Sequence, residues 1–117
     1  MSSNPQCLFC RIANGEIPAK KVFEDEEIIA FHDITPQAPT HVLVVPRKHI
    51  ASLDEMTEAD VATVGTVLLR TADIARDLKL PAEGYRVVVN TGEAAGQTVF
   101  HIHFHILGGR NFRWPPG

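Results

Sequence analysis

The segment VFHIHFHIL, residues 99–107, carries three of the six histidines of the chain at strictly alternating positions. Successive side chains of a β-strand point to opposite faces, so this alternation predicts a strand with two different faces. One face is apolar and is expected to pack on a core: Phe100, Ile102, Phe104 and Ile106. The other face carries the histidines and is either solvent-exposed surface or a functional site: Val99, His101, His103, His105 and Leu107.

The spacing of the three histidines restricts what they can do together. Adjacent members of the row have Cα atoms about 6.5–7 Å apart, and the outer two about 13 Å. Two neighbours can bind one metal ion, but three on a straight strand cannot all reach zinc at bond lengths of about 2.0–2.1 Å. Imidazole is suited to nucleophilic attack, proton transfer and binding of a phosphate oxygen. We therefore favour a catalytic row over a metal chelate without catalysis or three chance surface histidines.

The rest of the sequence predicts an α+β protein with a mainly antiparallel sheet. Residues 28–32, 41–45 and 85–90 are short runs typical of strands, and Pro36 and Pro39 keep the loop between the first two extended. Thr57 and Asp60 form a capping pair at the start of one long amphipathic helix that ends before Pro81. Strands outnumber helices without βαβ alternation. The expected apolar face of the helix is Val61, Val64, Leu68, Thr71, Ala75 and Leu78.

Composition and charge exclude several classes of protein. The chain has 117 residues, 44% of them hydrophobic, which favours one domain over residues 1–117. A net charge of -3 does not provide the basic surface that nonspecific nucleic-acid binding needs. No apolar run approaches the ~20 residues of a membrane span, and residues 1–16 lack the pattern of a secretory signal. We expect a cytoplasmic protein without nucleic-acid or membrane partners.

Several residues outside the row are candidates for the same site. Gly92 and Gly96 in the loop GEAAGQT permit turns that present N–H groups to an anion, and Thr98 adds a hydroxyl. The other candidates have ordinary structural interpretations when taken alone, as turn caps, strand ends or core: His41, His49, Asp33, Asn90, Leu8, Phe9, Ile12 and Phe31.

Three segments resemble the histidine-triad (HIT) nucleotide-binding family, and in particular its Hint branch of purine nucleoside phosphoramidases. They are residues 17–50, residues 84–110 with the H-x-H-x-H signature, and the closing WPPG. The resemblance covers nearly the whole chain. It implies a five-stranded antiparallel sheet with one long helix and a short N-terminal helix. It also implies a homodimer in which the sheet continues between subunits.

The resemblance further implies hydrolysis of purine nucleoside phosphoramidates, such as amides of AMP, without a catalytic cofactor. His103 would attack the phosphorus and become nucleotidylated, His105 would hold a phosphate oxygen, and His101 and His41 would belong to a hydrogen-bonding relay behind the nucleophile. Water would then release AMP or GMP. The nucleotide would contact Asp33 and Asn90 at the ribose and phosphate. Gly96 and the backbone and hydroxyl groups of Gln97 and Thr98 would contact the phosphate and leaving group. The residues around the base would be Leu8, Phe9, Ile12, Phe31, His32, Ile34 and Leu43.

Alternative functions remain open at this level. The nucleotidyltransferase branch has glutamine where this chain has His105, so hydrolysis is favoured over transfer. The dinucleoside polyphosphate hydrolase branch has a similar signature, although the tail and residues 32–41 favour Hint. A nucleotide-binding regulatory or protein-interaction module and a zinc-binding scaffold are further hypotheses, from different classes.

Cys7 and Cys10 form a C-x-x-C pair that fits a metal clip, a redox dithiol, a small disulfide or two idle thiols. A thioredoxin-like role is disfavoured, because no βαβ unit follows. The resemblance to bacterial relatives with the same cysteines implies a structural zinc ion completed by His49 and His101. A zinc-bound His101 would position the strand instead of shuttling protons.

Overall fold

Within the described residues the sheet has five antiparallel strands, as the resemblance implies, and their order across the sheet is Lys21–Glu24, Ile28–His32, Thr40–Pro46, Phe104–Gly108 and Tyr85–Val88. The structure is a computed structural model that describes residues 4–117. Three short 3₁₀ turns lie at Leu53–Glu55, Glu58–Asp60 and Glu93–Ala95. The strands and helices are β1 (Lys21–Glu24), β2 (Ile28–His32), β3 (Thr40–Pro46), β4 (Tyr85–Val88), β5 (Phe104–Gly108), α1 (Leu8–Ala13) and α2 (Val61–Asp77).

Each face of the sheet is covered by one helix, because alternate residues of β2 and β3 point to opposite sides. Ile28, Ala30, Val42 and Val44 pack in the cluster that contains the buried side chains of α2. Their neighbours in sequence pack instead with Phe9, Cys10 and Ile12 of the α1 segment: Ile29, Phe31, Leu43 and Val45. The long helix therefore supports the sheet from behind, and α1 lies over the face that carries the histidines.

The capping pair at the start of α2 is present, but the helix is rotated relative to the expected face. The backbone N–H of Thr57 donates to the Asp60 carboxylate at 2.9 Å, and α2 follows the 3₁₀ turn that contains Asp60. Val61 and Leu68, expected in the core, are 63% and 48% exposed. The side chains that the helix buries are Val64, Val67, Thr71, Ile74 and Ala75. Thr71 fits there because its hydroxyl donates to the carbonyl of Val67 at 2.7 Å.

The histidine strand is shorter than the alternation predicts. β5 begins at Phe104, so residues 99–103 lie outside the sheet and Phe100, expected on the core face, is 50% exposed. The register pairs Val44 with Phe104, and extending it would bring Ile102 opposite Pro46, which has no N–H to donate. The N–H of Ile102 donates instead to the carbonyl of Ile50 at 2.6 Å. Ile102, Phe104 and Ile106 still reach the core as expected.

The remaining differences from the sequence-based expectations are small. The strand expected over 85–90 ends at Val88, and the edge strand β1 was not predicted from the residues. No helix within residues 4–117 is both long and apolar enough to cross a membrane.

The rotation of α2 yields a prediction with a matched pair of substitutions. Val67→Ala removes buried methyl groups and is expected to lower the free energy of unfolding by about 2 kcal/mol. Val61→Ala, on the exposed side of the same helix, is expected to change it by no more than about 0.5 kcal/mol. Urea unfolding of both variants measures the difference. Equal losses would contradict the observed orientation of the helix.

Candidate active site

Strands β3 and β5 bring His41 and His105 together. Their antiparallel register pairs His41 with Leu107 and Leu43 with His105, which makes the two histidines diagonal neighbours on one face of the sheet. His103 lies just before β5, and its ring centroid is 5.1 Å from that of His105. The histidine face is not solvent-exposed surface, because His101, His103 and His41 are all buried.

The protonation of the His41–His105 pair follows from its surroundings. The backbone N–H of Gln37 donates to His41 Nδ1 at 3.0 Å, so the proton of neutral His41 is on Nε2. This Nε2–H donates to His105 Nδ1 at 2.9 Å, and Asp33 Oδ2 lies 3.5 Å from the same nitrogen. Neutral His105 therefore has its proton on Nε2, which is buried without a hydrogen-bond partner among residues 4–117. The pair presents an unpaired donor that a ligand's acceptor can satisfy.

His103 has the opposite arrangement. Its Nδ1 lies 2.7 Å from the carbonyl oxygen of His101, and because a carbonyl only accepts, Nδ1 carries the proton. The lone pair of neutral His103 is therefore on Nε2. The ring of Phe9 meets His103 edge-on, with centroids 4.9 Å apart at 89°. A nucleophilic nitrogen thus stands beside the N–H donor of His105.

The buried histidines are neutral near pH 7. Burial, with smaller contributions from His103 and His41, lowers the pKa of His105 to about 4 against the opposing effect of Asp33. Burial also lowers the pKa of His103, opposed by the hydrogen bond to the His101 carbonyl. Burial lowers the pKa of His41, opposed by Asp33. Neutral rings are required for both the lone pair and the directional hydrogen bonds described above.

His101 contributes its main chain to the row and its ring to a different group. Its Nε2 donates to the carbonyl of Pro46 at 2.7 Å, which leaves the lone pair on Nδ1. That Nδ1 lies 3.3 Å from Cys7 Sγ, 3.4 Å from Cys10 Sγ and 3.2 Å from His49 Nδ1. Burial lowers the pKa of His101 to about 4, so Nδ1 is available as a ligand.

The Cys₂His₂ cluster, consisting of Cys7, Cys10, His49 and His101, has the dimensions of a tetrahedral metal site. Zinc bond lengths of about 2.3 Å to sulfur and about 2.0–2.1 Å to nitrogen place ligand atoms about 3.3–3.8 Å apart. The sulfur–nitrogen and nitrogen–nitrogen distances in the cluster are 3.2–3.4 Å. Both cysteines are free thiols. The residues therefore fit a structural zinc ion, as the resemblance implies.

The residues expected around the base divide into two sets. Phe9, Ile12, Phe31 and Leu43 are buried together beside the cysteines, although Leu8 of the same helix is 43% exposed. Ile34 and His32 lie outside this apolar cluster, since Ile34 is 99% exposed and His32 is also exposed. Asp33, between them, caps its own turn by accepting the N–H of Thr35 at 2.8 Å.

The loop before the row has the glycine conformations that its sequence predicts. Gly92 and Gly96 have φ values of 87° and 98°, which other residues rarely adopt. The side chain of Gln97 is buried and holds the loop together, because it accepts from Gly92 N–H and donates to Ala51 O. Thr98 is exposed and Asn90 is half-buried at the end of β4.

Sequence reasoning missed the groups that determine the protonation of the row. Gln37 and Pro46 act through their backbones, and no feature of the sequence identifies such roles. Arg47 was also missed: its guanidinium donates to the carbonyls of Ala13 and Asp25 and fixes the end of α1 against the β1–β2 hairpin.

Comparison with known proteins identifies the family. The HIT domain family matches residues 14–112. An uncharacterised HIT-like protein of Synechococcus elongatus is 51% identical over 94% of this chain and 96% of its own length. The crystal structure of a HIT family hydrolase from Legionella pneumophila has a TM-score of 0.94 at 51% identity and covers 96% of this chain and 100% of that one. A histidine triad nucleotide-binding protein from Candida albicans has a TM-score of 0.80 at 33% identity and covers 96% and 85%.

Acidification is expected to destabilise the protein through His105. Its pKa is about 4 in the folded chain and about 6.5 in an unfolded one. Between these values the unfolded chain binds the extra proton, so the free energy of unfolding decreases as the pH falls. His105→Gln removes this contribution, and its loss of stability between about pH 7 and about pH 5 should be smaller than that of the wild type.

Urea unfolding at each pH measures this difference. His32→Gln, which replaces an exposed histidine, is the matched control and should follow the wild type. If the free energy of unfolding fell equally with pH in the wild type and in His105→Gln, the assigned burial of a neutral His105 would be contradicted.

Proposed function

The chain belongs to the HIT domain family, and we propose that it hydrolyses purine nucleoside 5′-phosphoramidates, as the Hint branch does, and releases AMP or GMP. The observation that carries this proposal is the complementary protonation of two adjacent rings, with a lone pair on His103 Nε2 and a proton on His105 Nε2. Nucleophilic displacement at phosphorus requires this pair of functions. The names of the relatives support a hydrolase that binds a nucleotide.

In the proposed first step, the lone pair of His103 Nε2 attacks the α-phosphorus. The phosphorus–nitrogen bond breaks with its electron pair on the leaving amine, which takes a proton from solvent beside the exposed Thr98. The N–H of His105 donates to a non-bridging oxygen and opposes the charge that develops there. The carbonyl of His101 stabilises the positive charge that the ring of His103 acquires, because it accepts the Nδ1–H.

In the second step, water attacks the nucleotidylated phosphorus and loses a proton to solvent. The bond between phosphorus and His103 Nε2 breaks, and its electrons return to the ring. His41 keeps His105 in the required tautomer in both steps, since its Nε2–H occupies His105 Nδ1. We place His41 behind His105 in this mechanism, and only the main chain of His101 behind the nucleophile.

The nucleotide is proposed to lie along the same face of the sheet. The proposed wall for the base is apolar and consists of Phe31, Leu43, Phe9 and Ile12. The ribose and phosphate are proposed to contact Asp33 and Asn90, which flank the row on either side. Gly96 and Thr98 form the leaving-group side. Gln97 is proposed to contact the phosphate through its backbone, because its side chain is occupied inside the loop.

The charges around the row favour a substrate with a single phosphate over a dinucleoside polyphosphate. The charged and titratable groups that act on His103 and His105 are Asp33, His41 and the two rings themselves. Within residues 4–117, the groups in hydrogen-bond or ring contact with His103 and His105 include no lysine or arginine. Binding of several phosphates requires cationic side chains or metal ions to offset their charge.

The proposal predicts a substrate preference. Wild-type protein should hydrolyse adenosine 5′-phosphoramidate with a kcat/KM at least about tenfold above that for diadenosine tetraphosphate, and His103→Ala should lose the activity by about 10⁴-fold or more. Chromatographic measurement of AMP release tests both expectations. Val61→Ala is the control for expression and purification and should keep the wild-type activity. A reversed preference would support the polyphosphate hydrolase, and no AMP from either substrate would favour a binding module.

We also propose that the Cys₂His₂ cluster holds structural zinc, and the residues that would hold it are Cys7, Cys10, His49 and His101. When bound, the ion would join α1 to the turn after β3 and to the histidine segment. It would supply no step of the reaction.

Elemental analysis should therefore find about one zinc ion per chain in protein purified without chelator. The double substitution Cys7→Ser with Cys10→Ser should abolish binding and lower the melting temperature, since an ion present at 1,000 times its Kd stabilises by about 4 kcal/mol. Cobalt substitution should give the absorption bands of a tetrahedral thiolate site. Absence of zinc together with absence of these bands would contradict the proposal.

We further propose that one HIT domain pairs with a second copy through β4. This strand is an edge of the sheet, Val87 on it is 39% exposed, and α2 exposes Leu68 and Leu69. An exposed strand edge and neighbouring apolar side chains are typical of an interface.

Sedimentation equilibrium should give twice the chain mass of 12.9 kDa. Val87→Lys should yield the monomer, because a buried lysine opposes pairing of two edges. Glu26→Lys also introduces a lysine, in the hairpin near the other edge of the sheet, and this control should remain dimeric. A monomeric wild type would contradict the proposed assembly.

A further inference from the structure

We infer that Arg110 is a positioning residue for Asp33: its guanidinium holds the loop of residues 33–39 and so places the Asp33 carboxylate for the ribose hydroxyls of a bound nucleotide. The inference rests on the proposed function, which assigns Asp33 to the ribose and phosphate, and it adds the residue that keeps Asp33 in place. Arg110 lies in the C-terminal segment after β5, and no role was expected of it from the sequence.

The loop of residues 33–39 has little packing of its own. Residues 34–37 are exposed, and Ile34 is 99% exposed. Within residues 4–117, two hydrogen bonds join the part of the loop after Asp33 to residues beyond it, and both are made by the backbone of Gln37. Its N–H donates to His41 Nδ1 at 3.0 Å, and its carbonyl accepts from Arg110 Nε at 3.0 Å. Gln37 is therefore the point at which the loop is attached to the rest of the protein.

Hydrogen-bonded contacts connect Gln37 to both oxygens of the Asp33 carboxylate. On one side, Gln37 Nε2 donates to Thr35 O at 3.0 Å, and Thr35 N–H donates to Asp33 Oδ1 at 2.8 Å. On the other side, the N–H of Gln37 donates to His41 Nδ1, and His41 Nε2 lies 3.5 Å from Asp33 Oδ2. A displacement of Gln37 therefore moves the supports of both carboxylate oxygens.

Arg110 can fix Gln37 because the segment that carries it is itself anchored. The guanidinium of Arg110 lies 4.3 Å from the centroid of the Phe112 ring, and that of Arg86 lies 5.2 Å from the same ring. Stacking of this kind restricts an arginine side chain that is otherwise flexible. Arg86 Nη2 also donates to Arg113 O at 2.9 Å. The C-terminal segment is thus tied to β4, and Arg110 extends from it to the loop.

The backbone brings the segment close to the loop. Thr40 and Gly108 form a register pair between β3 and β5 at the end of the sheet from which both segments leave. Gly109 has a φ value of 90°, and a Cβ atom at this position would lie 2.8 Å from Pro39 Cβ. A glycine at position 109 is therefore needed for the approach that places Arg110 beside Gln37.

Loss of the Arg110 side chain should weaken the binding of nucleotides that use Asp33. The carbonyl of Gln37 loses its donor, and an exposed loop with few contacts then samples more conformations. A nucleotide that contacts Asp33 must order the loop again when it binds. We expect its dissociation constant to rise by about 3–10-fold, the effect of one hydrogen bond. A nucleotide without ribose hydroxyls should change by less than about twofold.

The test compares the binding of AMP with that of 2′,3′-dideoxy-AMP, which lacks both ribose hydroxyls. Calorimetric titration gives the two dissociation constants, and their ratio measures the preference for the hydroxyls. This preference should fall by about 3–10-fold in Arg110→Ala. Arg110 is exposed, so the substitution leaves the core intact. Arg113→Ala removes the same charge from the same segment, also at an exposed position, and this control should keep the wild-type ratio.

Asp33→Ala tests whether Arg110 acts through the carboxylate. In the Asp33→Ala background, addition of Arg110→Ala should leave the ratio unchanged, because the group that Arg110 positions is absent. A loss of AMP affinity of the same size with and without Asp33 would overturn the inference. An unchanged ratio in the single variant Arg110→Ala would overturn it as well.

The same titrations separate this inference from the proposed hydrolysis. If the wild type prefers AMP but does not hydrolyse adenosine 5′-phosphoramidate, the proposed function is wrong, and the ratio in Arg110→Ala still decides the positioning role. If the wild type hydrolyses the phosphoramidate and Arg110→Ala keeps the wild-type ratio, the proposed function stands and the inference is overturned. Absence of AMP binding by the wild type would contradict both.

Discussion

The hydrogen bond of 2.7 Å between His103 Nδ1 and the carbonyl of His101 determines which nitrogen of His103 carries its lone pair. A carbonyl can only accept, so this contact fixes the proton of His103 and frees the opposite lone pair. The N–H of Gln37 has the complementary effect on the other pair, where it sets His41 and thereby leaves the proton of His105 on its unpaired Nε2. Two main-chain groups thus give adjacent imidazoles opposite hydrogen-bonding properties.

These functions depend on burial, which has a cost in stability. Burial disfavours the charged form of each ring and keeps the row neutral where a lone pair is needed. The unfolded chain gains protons at these positions as the pH falls, so the same feature that prepares the site weakens the fold in acid. The sheet and α2 supply the apolar burial that offsets this cost, and the cysteines and α1 complete the enclosure on the histidine side.

Much of this architecture follows from local patterns in the sequence. The alternation in residues 99–107 correctly places Ile102, Phe104 and Ile106 in the core, and the capping pair at Thr57 correctly locates the start of the long helix. The residue at which β5 begins, Phe104, could not be predicted, because it depends on Pro46 and Ile50, which are distant in sequence. The protonation of the row depends on the backbone of Gln37, for which side-chain identity gives no signal. The expected face of α2 was correct at Val64, Thr71 and Ala75 and wrong at Val61 and Leu68, because the helix buries Val67 and Ile74 in their place.

The most direct test of a covalent step on His103 is the stereochemistry at phosphorus. Adenosine 5′-thiophosphoramidate of one configuration would be hydrolysed in water enriched in a heavy oxygen isotope, and the configuration of the product determined. Attack by His103 followed by attack by water inverts the phosphorus twice, so we predict net retention. Net inversion would mean that water attacks directly and would contradict the role assigned to the lone pair on His103 Nε2.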